Sequence, residues 1–189
     1  MASAALLDRM RRAEVLGVEA PAPSLNMHKA RERVAGIVSE LREGTVGLLG
    51  SFGIELVTGE GRLAGPCSVT AGGKTYTADA IILAAGARET SPPFAAHAML
   101  TPRQALELEY PPARLLVLGG AAVEVELAQY FALLGSQVTL ATPDPLILAG
   151  EDYELSQRLQ TIMATQGVRI LTGARVTEMT PEGDGVAAI

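Results

Sequence analysis

The stretch LLVLGGAAVEVELAQYFALLGSQVTL, residues 115–140, decides how the chain is read. An apolar run from Leu115 to Leu118 ends in Gly119-Gly120. A helix-patterned segment follows from Ala122 to Leu134, and Gly135 then leads to a second apolar run, Val138 to Ala141. Strand, turn, helix and strand in this order form the unit that holds a pyrophosphate at a helix N-terminus. The pattern G-x-G-x-x-G would place glycines at 119, 121 and 124, where the chain has Gly119, Ala121 and Glu124. Gly119 supplies the tight backbone of the turn. Ala121 puts a methyl group where phosphates approach the backbone, a mild obstacle. In the first helical turn Glu124 suits the helix dipole, but it would repel a pyrophosphate if it pointed inward. The residues leave both orientations open, and a βα turn without any ligand would read the same locally.

Outward from this unit, 189 residues with 48% apolar composition suit one large domain or two small ones. A net charge of −6 argues against nucleic acid or an anionic membrane as partner. The short basic groups at Arg9, Arg11, Arg12 and at Lys29, Arg31, Arg33 each have acidic residues beside them (Asp8 and Glu14, then Glu32), so neither forms a binding patch. One cysteine, Cys67, excludes an internal disulfide framework and suits a reducing cytoplasm. It lies in a strand pattern and reads as a small core residue. No apolar run approaches the ~20 residues of a membrane span, and the N-terminus meets Asp8 and Arg9 too early for a signal peptide. A cytoplasmic globular chain is expected.

Residues 3–15 pattern as a helix, 17–26 as a Pro/Gly-rich loop, and 28–53 as a second helical segment carrying Val34, Ile37, Val38, Leu41, Val46 and Leu48. Strand-like runs follow at 54–59, 67–78 and 80–86, the second interrupted by a hairpin turn at Gly72-Gly73. After a loop with Pro92-Pro93 comes a short helix at 101–109, with Thr101 as N-cap and Pro102 at its first position. Pro111-Pro112 form a joint before the βαβ unit. Beyond it, a helix at about 152–166 capped by Asp152, a strand at 168–173, and two strands around the Pro-Glu-Gly-Asp-Gly turn at 181–185 complete the chain. It stops at Ile189 inside an expected strand, which is odd for a complete protein.

These segments, taken in order, resemble the central part of the flavin-dependent pyridine nucleotide–disulfide oxidoreductases, the group of dihydrolipoamide dehydrogenase and mercuric reductase. GIELVTGEGRL (53–63), ADAIILAAGARETSPP (78–93), LTPRQALELEYPPARLLVLGG (100–120) and VELAQYFALLGSQVTL (125–140) are each similar to a segment of that family, in the same register. The resemblance implies an α/β fold: a Rossmann-like NAD(P)-binding βαβ domain at 113–189, truncated at its C-terminus, following a partial FAD-binding domain at 1–112. It implies FAD and NAD(P) as cofactors, with hydride passing from NAD(P)H through FAD to a cysteine pair and on to a disulfide or a metal ion. MASAALL (1–7) is similar to the end of the family's redox motif, with Ala4 where a lysine would stand. On that register the cysteines and the first FAD fingerprint fall before Met1, and the acid–base histidine region after Ile189. Neither histidine, His28 or His97, lies in a matching context, so no catalytic residue and no metal ligand is expected within the chain.

The resemblance also places cofactor contacts. On the flavin side these are Glu60, Gly61, Ala84, Ala85 and Gly86. On the pyridine-nucleotide side they are Gly119, Gly120, Ala121, Ala122, Glu126 and Thr142. The mercuric-reductase branch is similar in tolerating small non-glycine residues at 121, but it carries alanine at 124. Glu126 matches a family glutamate that pairs with the missing lysine, so that ion pair is lost. Thr142 occupies the position that reads the ribose; no arginine is near in sequence, and Asp144 favours NAD over NADP. Two further readings stand beside the oxidoreductase: a non-catalytic nucleotide-binding remnant, and one half of a split flavoenzyme. A homodimer or a complementing chain would cover the apolar surface that an incomplete sheet leaves open.

Overall fold

The structure, a computed structural model, describes residues 1–19, 22–90, 94, 99–183 and 185–189. Pro92-Pro93, His97 and Asp184 lie outside the described residues. The chain is α/β and divides into two compact units, one of Met1–Arg31 with Thr90–Ile189 and one of Glu32–Glu89.

The first unit is built on the βαβ element expected from residues 115–140. Strand β4 (Arg114–Leu118), helix α4 (Ala122–Leu134) and strand β5 (Gln137–Ala141) follow one another. β4 and β5 pair in parallel, Leu115 opposite Val138 and Leu118 opposite Ala141. Strand β6 (Arg169–Leu171) adds to β5, also in parallel, giving the order β4-β5-β6. Parallel neighbours need a crossover, and α4 and α5 (Tyr153–Thr165) supply it. The apolar runs flanking Gly119 and Gly135 therefore form adjacent strands of one sheet.

Helix α4 has no side-chain N-cap, since Ala121 stands at that position. It ends at Gly135, whose φ of 103° is a conformation that few side chains tolerate. It buries Val125, Ala128, Phe131, Leu133 and Leu134, more than one stripe. The reason lies at the other end of the sequence. Helix α1 (Ala2–Arg11) packs on α4 and buries Ala4 and Leu7 in the same apolar cluster. Arg11 Nη1 donates to the Leu133 carbonyl at 2.9 Å, satisfying a C-terminal carbonyl of α4. A 3-10 turn at Ala13–Leu16 follows α1, where a continuous helix to residue 15 is expected from pattern alone. Phe131, Leu140, Ile147 and Met163 are the largest apolar side chains fully withdrawn from solvent. Tyr130 meets Phe131 edge to face, centroids 5.1 Å apart, and burial raises its hydroxyl pKa above the ordinary tyrosine value.

Helix α3 (Pro102–Leu106) carries the expected Thr101 cap as a full capping box with Gln104. α5 is capped by Asp152, whose Oδ1 accepts from the amides of Glu154 and Leu155 at 3.0 and 3.1 Å. Strands β7 (Met179–Glu182) and β8 (Gly185–Ala188) pair antiparallel, as their sequence indicates.

The second unit contains a three-stranded antiparallel sheet, β1 (Arg62–Gly65), β2 (Ser68–Ala71) and β3 (Lys74–Thr77). Ala71 faces Lys74, so Gly72-Gly73 form the expected two-residue hairpin, both with positive φ. Helix α2 (Met27–Ser51) begins in the first unit and continues in the second, and none of its residues is buried.

Three expectations need correction. Residues 54–59 and 80–86 are apolar enough for strands, yet neither forms one. A strand exists only with a partner to complete its ladder, and no described segment pairs with them. Cys67 is exposed in the turn between β1 and β2, not a core residue, because Gly65 opposite Ser68 closes the hairpin around Pro66-Cys67.

Candidate functional site

The turn between β4 and α4 is held by contacts that its sequence only half declares. Gly119 has a φ of 116° and donates its amide to the Ala141 carbonyl at 2.8 Å, extending the β4–β5 ladder by one residue. Gly120 is buried against β5: a Cβ placed there would lie 2.9 Å from Thr142 Oγ1 and 3.1 Å from Thr142 Cβ. Gly119 is thus required for conformation and Gly120 for space. Val125 is the first residue of α4 whose amide is bonded back to the turn, to the Ala121 carbonyl at 3.0 Å. Between the amides of Gly119 and Val125 no backbone acceptor is engaged among the described residues. Such a row of amide donors, at the positive end of a thirteen-residue helix, is what an anion binds.

Thr142 is fully buried. Its hydroxyl donates to Asp144 Oδ2 and accepts from the Asp144 amide, both at 3.3 Å. Asp144 itself is exposed at the end of β5, so its carboxylate is presented beside the turn.

A third strand of contacts comes from the loop at 143–152. The Leu148 amide donates to the Gly120 carbonyl at 2.6 Å. Leu148 has a φ of 50°, alone among the described non-glycine residues in being positive, a conformation that costs about 1 kcal/mol or more. Its own carbonyl accepts from the Glu151 amide at 2.8 Å and from the hydroxyl of buried Ser156 at 3.1 Å. This clasp was not foreseen from the sequence. The apolar Leu146-Ile147-Leu148 run inside a Pro-rich loop was the available signal, because an apolar run in a loop marks a loop that packs.

Glu124 turns toward the glycine turn. Its Cγ, Cδ and Oε2 lie 3.0, 3.3 and 3.6 Å from where a Cβ on Gly119 would stand. The orientation left open by the sequence is therefore decided. Glu126, two residues further along α4, is exposed. Ala121 and Ala122 are exposed at the mouth of the turn.

The flavin-side candidates all lie in the second unit. Glu60 is exposed and accepts from Arg62 Nη2 at 3.0 Å, an ion pair in water worth little. Gly61 sits beside Val69, and a Cβ there would make an ordinary 3.7 Å contact. Ala84, Ala85 and Gly86 are exposed in an irregular segment, with Gly86 at φ 72°. Among the described residues no group of three or more His, Cys, Asp or Glu side chains could hold a metal ion, and no helix is long and apolar enough to cross a membrane.

A parallel βαβ unit with a glycine turn opening on helix amides places the chain in the class of Rossmann-type α/β proteins. The chain belongs to the pyridine nucleotide-disulphide oxidoreductase family, whose profile matches residues 2–189. It is 34% identical over 182 residues to a dihydrolipoyl dehydrogenase of Mycoplasma pneumoniae, covering 92% of this chain and 40% of that protein. With a mercuric reductase of Bacillus cereus it shares 31% over 173 residues, covering 89% of this chain and 27% of the other. Among solved structures, LpdA from Mycobacterium tuberculosis superposes with a TM-score of 0.83 at 27% identity over 99% of this chain and 43% of its own. The HOCl-induced flavoprotein disulfide reductase RclA from Escherichia coli gives 0.75 at 26% identity, covering 85% of this chain and 38% of its own. The chain thus spans about two fifths of the dihydrolipoyl dehydrogenase it matches.

Proposed function

We propose that residues 113–189 provide the NAD(P)-binding part, and residues 1–112 a portion of the FAD-binding part, of a flavin-dependent oxidoreductase. In that reading the whole enzyme would move two electrons from NAD(P)H, by way of a cysteine pair, to an acceptor disulfide or metal ion. FAD supplies the two-electron chemistry when bound; the residues of this chain bind and orient. The observation that carries the reading is the Gly119-Gly120 turn, with its free amide row at the start of α4. The amides past Gly120 would hold the pyrophosphate, Ala121 and Ala122 would line its approach, and Thr142 sets how closely β5 supports the turn. Asp144 would accept from the ribose 2′-hydroxyl, which a 2′-phosphate could not replace without like-charge repulsion. Glu126, exposed on α4, would lie on the nicotinamide side; Ala4, a buried residue of α1, offers it no cation. Glu60, Gly61, Ala84, Ala85 and Gly86 would touch the flavin nucleotide.

The test is a titration of the 189-residue chain with NADH and NADPH, read by nicotinamide fluorescence. Saturable binding with NADH tighter than NADPH is expected, and loss of it in Gly119→Val. No saturation by either nucleotide at millimolar concentration would sink the assignment of the turn.

Two observations favour a second reading, a non-catalytic nucleotide-binding remnant or one half of a split flavoenzyme: Ala4 in place of a lysine, and Glu124 turned into the turn. Flavin retention separates the readings. The flavin-side residues are exposed and bring few directed contacts. A site without a pyrophosphate cradle forgoes several charge-assisted hydrogen bonds of about 1.5–3 kcal/mol each, and each ~1.4 kcal/mol is tenfold in affinity. The 189-residue chain is therefore expected to purify colourless and without disulfide reductase activity. A stoichiometric flavin absorbance band surviving gel filtration would show that a second copy completes the site.

A further inference from the structure

We propose that Glu124 is a tethered stand-in for the nucleotide's pyrophosphate: its carboxylate occupies the glycine turn in the nucleotide-free protein, and a pyridine nucleotide binds by swinging it out. The inference rests on the reading of the turn as a nucleotide site and adds what sets its affinity.

Three features of the turn and its helix lead there. The side chain lies along the turn, its Cγ 3.0 Å from the Cβ position of Gly119, and is half-buried while Glu126 on the same helix is exposed. The helix it belongs to has no side-chain N-cap, and Glu124 is the acidic residue of its first turn. An uncapped helix start leaves a row of unpaired amides and the positive end of the dipole, which a carboxylate within the first turn balances. Finally, the carboxylate makes no hydrogen bond or ion pair among the described residues. Nothing but packing and the field of the helix holds it. A group held in that way can be moved by a ligand that supplies the same charge and better hydrogen bonds.

The two roles of Glu124 have opposite signs, which makes the proposal separable from a purely structural one. Removing the carboxylate takes away the anion that settles the empty helix end, so the nucleotide-free protein loses stability. It also removes an anion and a volume that the pyrophosphate must displace, so nucleotide affinity rises. A carboxylate serving only to cap the helix would give the first effect without the second. One turned to solvent would give neither.

The experiment compares the full chain with Glu124→Ala and Glu124→Gln, using NADH as the probe and thermal unfolding without nucleotide as the second readout. Glu124→Ala should bind NADH about tenfold more tightly or better at low ionic strength, with the gap narrowing at high salt as the charges are screened. Its nucleotide-free Tm should fall by roughly 1–4 °C. Glu124→Gln keeps the shape and drops the charge, so it should recover at least half of the affinity gain on a logarithmic scale while remaining folded. Equal or weaker NADH binding by both variants overturns the proposal and leaves the nucleotide site standing. Absence of NADH binding by the parent chain and both variants removes the site and the proposal with it.

Discussion

At Gly120 the limit on substitution is space, and at Gly119 it is backbone conformation. A methyl group on Gly120 would meet Thr142 Oγ1 at 2.9 Å, and Thr142 is fully buried with its hydroxyl engaged by Asp144. Neither side can yield without moving β5. Gly120→Ala is expected to cost about 1–3 kcal/mol by chemical denaturation. Thr142→Ala should relieve part of that, so the double variant should lose less than the sum of the singles. Additive losses would mean that the two residues do not press on each other. None of this was legible in the fingerprint itself. The sequence shows two glycines and, twenty-two residues on, a threonine; that the threonine is the post on which the second glycine rests depends on the register of β4 against β5.

Among the elements, the βαβ unit, the Gly72-Gly73 hairpin and the Thr101 and Asp152 caps were readable because each rests on chemistry within a few residues: an apolar period, a left-handed pair, a side-chain oxygen near free amides. The runs at 54–59 and 80–86 failed for the opposite reason. Composition favours extension there, but a ladder needs a partner that local sequence does not name. The clasp from the 143–152 loop was hidden likewise, since its bonds run from Leu148 to Gly120 and Ser156. Ser156→Ala should leave the Leu148 carbonyl short of one buried donor and destabilise the first unit by about 1 kcal/mol. It should also raise protease nicking within 143–152. Unchanged cleavage there would show that the strained Leu148 is held by its backbone bonds alone. Asp152→Ala should cost a similar ~1 kcal/mol through loss of the α5 cap.

Across the molecule, many large apolar side chains stand exposed. Ile82 is 90% exposed and Leu83 73%, and α2 buries none of its residues. The 189-residue chain should bind a hydrophobic dye such as ANS and scatter light increasingly with concentration; a dye-silent, monodisperse chain would contradict this. The first unit, by contrast, is tied together across the sequence, with Leu7 buried against α4 and Arg11 on the Leu133 carbonyl. That tie has a consequence during synthesis. Arg11 and Leu133 are 122 residues apart, and a ribosome adding roughly 5–20 residues per second needs roughly 6–25 s to cover that distance. For those seconds α1 has emerged while its seat does not yet exist. Its apolar face is then available to any chaperone at the exit tunnel, and packing of the first unit around α1 waits until the nascent chain delivers α4.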